Sequence, residues 1–303
     1  MNNYLISIVG PTAIGKTALS IQLASYFNTE IISSDSRQFY KEMNIGTAVP
    51  NKSELASAPH HFIQNRSIFD SYSVGQFEKD ALKTLDSLFK KHKAVIMVGG
   101  SGLYVKAVID GLDNFPKIDS NIREDLKLEL ENNGISALQK QLEILDLKTF
   151  KTIDLYNHQR VIRALEVCIG TKKPYSSFLS NKTSSRNFIP IKIGLTADRD
   201  ILYQRINARV DIMIKNGLLN EVEKLAEHQD LNALQTVGYK ELFQYLKGEI
   251  SFDFAIEEIK KNTRRFAKRQ ATWFKKDTAI QWFDFKTNPQ EIIASISSQI
   301  TRD

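Results

Sequence analysis

The chain has 303 residues, 42% hydrophobic and 25% charged, enough to bury a full core as one large or two modest domains. A single cysteine, Cys168, excludes an internal disulfide and a multi-cysteine zinc site, and no apolar run approaches the roughly 18–20 residues of a membrane span. With strand-like sequence from Tyr4 onward, neither leader nor anchor is expected and the reading is a cytoplasmic monomer; the net charge of +6 only hints at an anionic partner.

Tyr4-Leu5-Ile6-Ser7-Ile8-Val9 reads as a short buried strand, and residues 18–27 carry helical apolar spacing. Between them Gly10-Pro11-Thr12-Ala13-Ile14-Gly15-Lys16-Thr17 spells G-x4-G-K-[ST], the loop whose backbone N–H groups wrap a di- or triphosphate. The glycines allow a tight turn against an anion, and the helix beginning after Gly15 adds its positive dipole end. Lys16 neutralises phosphate oxygens, and the Thr17 hydroxyl can hold Mg²⁺.

The next strand, 30–34, runs into Asp35-Ser36-Arg37-Gln38. An amphipathic helix over 74–91 precedes the strand 94–98, which runs into Gly99-Gly100-Ser101-Gly102. A P-loop ATPase or GTPase holds Mg²⁺ through an Asp ending such a strand, and none stands there. Parallel strands place their C-terminal ends on one edge, so Asp35 and Ser101 should both face the phosphate loop, in a pocket with one lone acid. The plainer role for Asp35 is the N-cap of a helical turn that it opens.

Residues 1–116 are therefore expected to be the first part of an α/β, P-loop NTPase-like parallel-sheet core. After Asn114-Phe115-Pro116 only helical patterns follow (121–131, 135–145 and 159–169), which predicts an all-helical insertion domain over 117–188 flanked by loops 111–116 and 181–187. Residues 189–303 resume the core with a strand from Ile189 to Leu195, a helix over 199–215 and a basic C-terminal helical segment.

Within the insert, Arg160 and Arg163 share a helix face while Val161 and Leu165 share another; paired guanidinium groups suit phosphate or carboxylate, and equally serve internal salt bridges. Arg205 and Arg209 are i,i+4 neighbours, as needed to close over transferred phosphates, or to pair locally with acids such as Asp211. From 260 to 276 the bases Lys260, Lys261, Arg264, Arg265, Lys268, Arg269, Lys275 and Lys276 occur with no acid between them. Lys261, Arg264, Arg265 and Lys268 fall on one face, and Ile259, Phe266 and Trp273, seven apart, are expected to dock on the core. Such a run is often only a solvated face; the lack of interspersed acid favours contact with a phosphate backbone.

Several segments taken in order carry a family resemblance: the phosphate loop, Ser34-Asp35-Ser36-Arg37-Gln38, Asn44-Ile45-Gly46-Thr47-Ala48, Val98-Gly99-Gly100-Ser101-Gly102-Leu103-Tyr104, Gln159-Arg160-Val161-Ile162-Arg163-Ala164-Leu165-Glu166, Val237-Gly238-Tyr239-Lys240-Glu241, and Thr263-Arg264-Arg265-Phe266-Ala267-Lys268-Arg269-Gln270-Ala271-Thr272-Trp273-Phe274. The sequence resembles the bacterial tRNA dimethylallyltransferases over nearly its whole length. That resemblance implies dimethylallyl transfer from dimethylallyl diphosphate to N6 of the adenosine 3′ to the anticodon (position 37) in tRNAs reading codons that begin with U. It also implies that the phosphate loop, whose pattern alone specifies a di- or triphosphate, holds the donor diphosphate with Mg²⁺ on Thr17. Asp35 would be the general base, and Lys16, Arg209 and Ser101 would join it in catalysis. Contacts to the tRNA anticodon stem-loop are implied for Asp35, Ser36, Arg37, Gln38, Ser101, Arg123, Gln159, Arg160, Val161, Ile162 and Arg163, and for Arg264, Arg265, Lys268 and Arg269 of the basic segment. Many family members carry Thr where this chain has Ser101. Pattern reading alone leaves open a free-nucleotide isopentenyltransferase, a small-molecule kinase and a non-catalytic RNA-binding protein.

Overall fold

A computed structural model describes residues 2–179 and 185–301. The chain divides into two compact units, Met1–Ile109 with Arg186–Asp303, and Asp110–Ser185.

The first unit is built on six parallel strands in the order β3-β2-β4-β1-β5-β6: β1 (Tyr4–Val9), β2 (Ile31–Ser33), β3 (His60–His61), β4 (Ala94–Val98), β5 (Ile189–Thr196) and β6 (Gln281–Asp284). Every residue of β1 is buried, as expected for a central strand covered on both faces. Its alternation assigns the faces. Tyr4, Ile6 and Ile8 pack with Leu19 and Leu23 of the helix Lys16–Tyr26 and with Ile292 and Ile296 of the helix Pro289–Thr301. Leu5 and Val9 pack with Phe77, Ala81 and Leu85 of the helix Val74–Leu88. A further cluster joins Tyr40 and Met43 to Val210, Leu218, Val222, Tyr239, Leu242 and Ile259, tying the helices Arg199–Lys215 and Phe252–Phe274 to the segment after β2. Strand β6 and the last helix occupy a stretch to which sequence patterning had assigned no element.

The second unit is helical. Helices Ser120–Asn133, Ile135–Leu145, Leu147–Phe150 and His158–Thr171 enclose Leu126, Leu138, Leu142, Val161, Ile162 and Leu165. The buried Asp146 accepts from the backbone N–H and hydroxyl of both Thr149 (3.0 and 2.6 Å) and Ser176 (2.6 and 3.0 Å). Burial pulls its pKa upward, but these four bonds outweigh it and hold the carboxyl below its ordinary value. Cys168 is a buried thiol whose sulfur accepts from Tyr175 N–H at 3.2 Å.

The unit begins at Asp110 and ends at Ser185 where 117 and 188 were expected. The reason is side-chain contact: Phe115 stacks on Tyr175 with centroids 4.9 Å apart, whereas Arg186 bonds Glu78 (2.6 Å) and the Ala107 carbonyl (2.8 Å), and Phe188 is buried with the sheet cluster. Of the flanking loop expected over 181–187, residues 181–184 lie outside the described residues. No helix among the described residues is long and apolar enough to cross a membrane.

Candidate active site

Adjacent strands β2, β4 and β1 end at one edge of the sheet, the edge where α/β proteins hold ligands, and they carry Asp35, Ser101 and the phosphate loop respectively. The loop leaves β1 at Gly10, whose φ of +141° and approach to β5, where a Cβ would stand 2.6 Å from the Leu195 carbonyl oxygen, exclude a side chain. Ala13 is left-handed at φ +63°. The Lys16 ammonium donates to the Pro11 carbonyl at 2.8 Å. Withdrawal from water lowers the Lys16 pKa to about 8, Asp35 opposing this and Arg209 adding to it.

Arg205 and Arg209 both turn to this loop. Arg205 Nε donates to the Ala13 carbonyl at 2.8 Å with its guanidinium over the Phe285 ring, and Arg209 Nη1 donates to Thr12 Oγ1 at 3.3 Å. Burial pulls the Arg209 pKa down, with the Asp35 charge countering it. Local pairing with Asp211 does not occur; that carboxylate bonds Lys260 at 2.9 Å.

No helix follows Asp35, so it caps none: its Oδ1 accepts the Arg37 N–H at 3.0 Å in a short turn. Ser36 N–H donates to Ser101 Oγ at 3.1 Å, and the Ser101 hydroxyl donates to Ser36 Oγ at 3.0 Å, which joins the β2 and β4 turns. Gln38 Nε2 donates to the carbonyls of Thr47 (3.2 Å) and Ala48 (3.0 Å), and Arg37 Nη1 to the Asn232 carbonyl at 2.9 Å. Thr17 keeps a partly exposed side chain at the helix start.

These elements border a cleft of about 1130 Å³ that is also lined by the helix Phe252–Phe274. The expected lone acid is not alone, because Asp230, Glu241, Glu249 and Glu258 also line the cleft. Glu241 is engaged by Gly238 N–H and Asn262 Nδ2, both at 2.8 Å, and Glu258 by Lys261 at 2.6 Å. Asp35 is the acid at the sheet edge, where its charge reaches both Lys16 and Arg209.

The helix Phe252–Phe274 does not dock through a seven-residue stripe. Its buried residues are Ala255, Ile259, Ala267, Gln270 and Phe274, while Phe266 and Trp273 are each 39% exposed and line the cleft. At 3.6 residues per turn these two stand about 20° and 40° from Ile259, at the margin of the buried stripe, where the side chains are shared between the core and the cleft. The basic face is also split: Lys261 pairs with Glu258 and Arg264 donates to Asn207 Oδ1 at 2.7 Å, whereas Arg265, Lys268 and Arg269 are exposed.

In the helical unit, Arg123 (3.1 Å) and Arg163 (3.3 Å) both pair with the nearly buried Glu166, and Gln159 and Arg160 are exposed. Val161 and Ile162, expected beside them as RNA contacts, are buried at 0% and 5%; their side chains pack the unit and leave only the backbone to touch a partner.

Two groups escaped sequence reasoning. Gln270 bridges the loops: its Oε1 accepts the Thr12 N–H at 2.8 Å and its Nε2 donates to the Gly100 carbonyl at 3.0 Å. Glu221 gathers the backbone N–H groups of Asn44, Ile45 and Gly46 and the Tyr239 hydroxyl within 3.1 Å, fixing a segment that lines the cleft. Position in a quoted motif was the only signal for Gln270, and nothing local marked Glu221.

Residues 38–277 match the family model described as IPP transferase. The chain is 61% identical over 300 residues, 99% of each protein, to a tRNA dimethylallyltransferase of Christiangramia forsetii, and 58% identical, over 96% of each, to one of Flavobacterium johnsoniae. Its fold matches a full-length tRNA isopentenylpyrophosphate transferase from Bacillus halodurans with TM-score 0.74 and 37% identity, covering 99% of this chain and 97% of that one. It also matches a eukaryotic dimethylallyltransferase acting on tRNA, with TM-score 0.83 and 26% identity, covering 99% of this chain and 80% of that one. A phosphate loop facing Asp35 and Ser101, on a sheet shared with these proteins, thus comes with likeness over almost every residue: the chain belongs to the IPP transferase family.

Proposed function

We propose that the protein transfers a dimethylallyl group from dimethylallyl diphosphate to N6 of the adenosine 3′ to the anticodon, position 37, in tRNAs reading codons that begin with U. The observation that carries this reading is the placement of Asp35 at the sheet edge, electrostatically coupled to Lys16 and Arg209 of the phosphate site, in a cleft walled by a basic helix.

The adenine N6 lone pair attacks C1 of the allyl group as the C1–O bond breaks, its electron pair leaving with diphosphate, and the N6 proton passes to the Asp35 carboxylate. The amine is a poor nucleophile because its lone pair is delocalised into the ring, so a positioned base contributes about 10²- to 10⁴-fold. Charge gathers on the diphosphate as the bond breaks, and Lys16, Arg209 and the amides at the start of the helix Lys16–Tyr26 bind that charge more strongly in the transition state than in the ground state. Thr12 N–H, engaged by Gln270, is not among these amides. Ser101, hydrogen-bonded to Ser36, sets the turn beside the base and offers its hydroxyl to the acceptor nucleotide.

No cluster of three His, Cys, Asp or Glu able to hold a metal occurs among the described residues. A lone hydroxyl at a phosphate loop suits Mg²⁺, which takes its other oxygens from phosphate and water. Held by Thr17 and the donor, the ion would neutralise the leaving diphosphate.

The adenosine must leave its stack to reach Asp35, which is least costly in a loop such as that of an anticodon. Gln159, Arg160 and Arg163 of the helical unit, with Arg265, Lys268 and Arg269, are the proposed backbone contacts of a monomeric enzyme working in the cytoplasm. Incubation with dimethylallyl diphosphate and Mg²⁺ beside an unmodified anticodon stem-loop or AMP tests the assignment. Prenylation of the stem-loop in preference to AMP supports it; equal use of AMP, or phosphoryl transfer from ATP without an allylic donor, contradicts it.

A further inference from the structure

We infer that Trp273, with Phe266 one heptad before it, is a stacking platform for an unpaired RNA base next to the target adenosine; this rests on the tRNA reading above. Both rings lie on one side of the helix Phe252–Phe274, at the edge of its buried stripe, and both line the cleft. The Trp273 indole is seated on the β4 turn: a Cβ on Gly102 would stand 2.2 Å from both Cδ1 and Nε1. Gly102 follows Ser101, which is hydrogen-bonded to Ser36 beside Asp35. One edge of the indole is therefore fixed within two residues of the reacting site while 39% of the residue stays accessible.

Single exposed aromatics are ordinary. Two in register inside a cleft, among exposed Arg265, Lys268 and Arg269 on a segment without acids, do not suit an apolar protein partner. Arg269 itself stands over the Phe266 ring, 5.8 Å from its centroid. Rings for bases and cations for phosphates are how single-stranded nucleic acid is gripped. Turning an adenosine out of the anticodon loop strips a stacking partner from its neighbour, and an indole fixed beside the reacting site replaces it.

The chain holds two tryptophans, so Trp282→Phe leaves Trp273 as the sole indole reporter. In that background, an unmodified anticodon stem-loop is titrated without donor, and dimethylallyl diphosphate is titrated without RNA. The expected result is quenching by the stem-loop and not by the donor, abolished when one loop position beside the target adenosine is made abasic and unaffected by abasic sites elsewhere in the loop. Trp273→Ala should raise the stem-loop Kd by about 5- to 150-fold, with Trp273→Phe recovering most of the loss, as expected for the energy of one base stacked on an aromatic ring. Normal prenylation by Trp282→Phe without RNA quenching, or quenching by the donor alone, overturns the platform and leaves the enzymatic reading intact. Failure of the wild-type protein to bind or prenylate the stem-loop overturns both.

Discussion

Gln270 and Gly100 meet in a contact that holds the phosphate loop and the Ser101 turn together. The amide Nε2 donates to the Gly100 carbonyl at 3.0 Å while Oε1 takes the Thr12 N–H at 2.8 Å, so one buried side chain ties the phosphate loop to the turn that carries Ser101. Gln270→Leu strands a donor on Thr12 and an acceptor on Gly100, each costing about 1–3 kcal/mol if it stays buried. The expected outcome is loss of stability in chemical denaturation together with a fall in kcat. Gln270→Glu, which keeps the acceptor for Thr12, should be intermediate. Gly100→Ala should resemble Gln270→Leu, because its Cβ would stand 2.2 Å from Nε2 and drive the amide out of both bonds.

Lys16 provides a pH signature. Its ammonium, lowered to about 8, is charged below that pH and neutral above it, so affinity for the diphosphate should decline as pH rises through about 8 in the free enzyme. The kcat/KM for donor between pH 7 and 9.5 reads this break, and Lys16→Met should lack it. Stability moves the other way. Between about 8 and the unfolded value of 10.5 the unfolded chain binds the extra proton, so this group makes folding more favourable with rising pH in that window.

Arg209 donates to Thr12 Oγ1 from a half-buried position, and a guanidinium there presents a planar fork that an ammonium cannot copy. Removal of such a transition-state contact typically costs about 10²- to 10³-fold in kcat. Arg209→Lys should therefore fall well short of wild type in single-turnover assays, with stem-loop affinity little changed.

The basic helix separates by function. Neutralising Arg265, Lys268 or Arg269 should each reduce the slope of log K against log salt for stem-loop binding by roughly 1. Lys260 is committed to Asp211 (2.9 Å) and Glu257 (3.0 Å), so Lys260→Gln should leave that slope unchanged and cost less than about 1 kcal/mol, as partly exposed pairs do.

Legibility in the sequence followed the range of the contacts. The helices Ile135–Leu145 and Arg199–Lys215 and the strand Ala94–Val98 have the bounds their periodicity predicts, because each buries a face whose spacing is written locally. The two-residue edge strand His60–His61 carries too few positions to show a period. Gln270 and Thr12 lie 258 residues apart, and Glu221 reaches the 44–46 segment some 175 residues away; no local pattern announces such partners. The seven-residue repeat places Ile259 in the core, but it does not show that Phe266 and Trp273 stay 39% exposed, nor that the Trp273 ring packs against Gly102, because both depend on long-range neighbours.

Proton transfer from adenosine to Asp35 is read by comparing Asp35→Ala with wild type on one unmodified anticodon stem-loop, with both Kd and the single-turnover prenylation rate measured, the latter by mass spectrometry. The expected result is one dimethylallyl addition at the adenosine 3′ to the anticodon in the wild type, its loss in Asp35→Ala, and a Kd unchanged within a few-fold. A fall in binding as large as the fall in rate would contradict it, as would an Asp35→Ala protein that still prenylates at the wild-type rate.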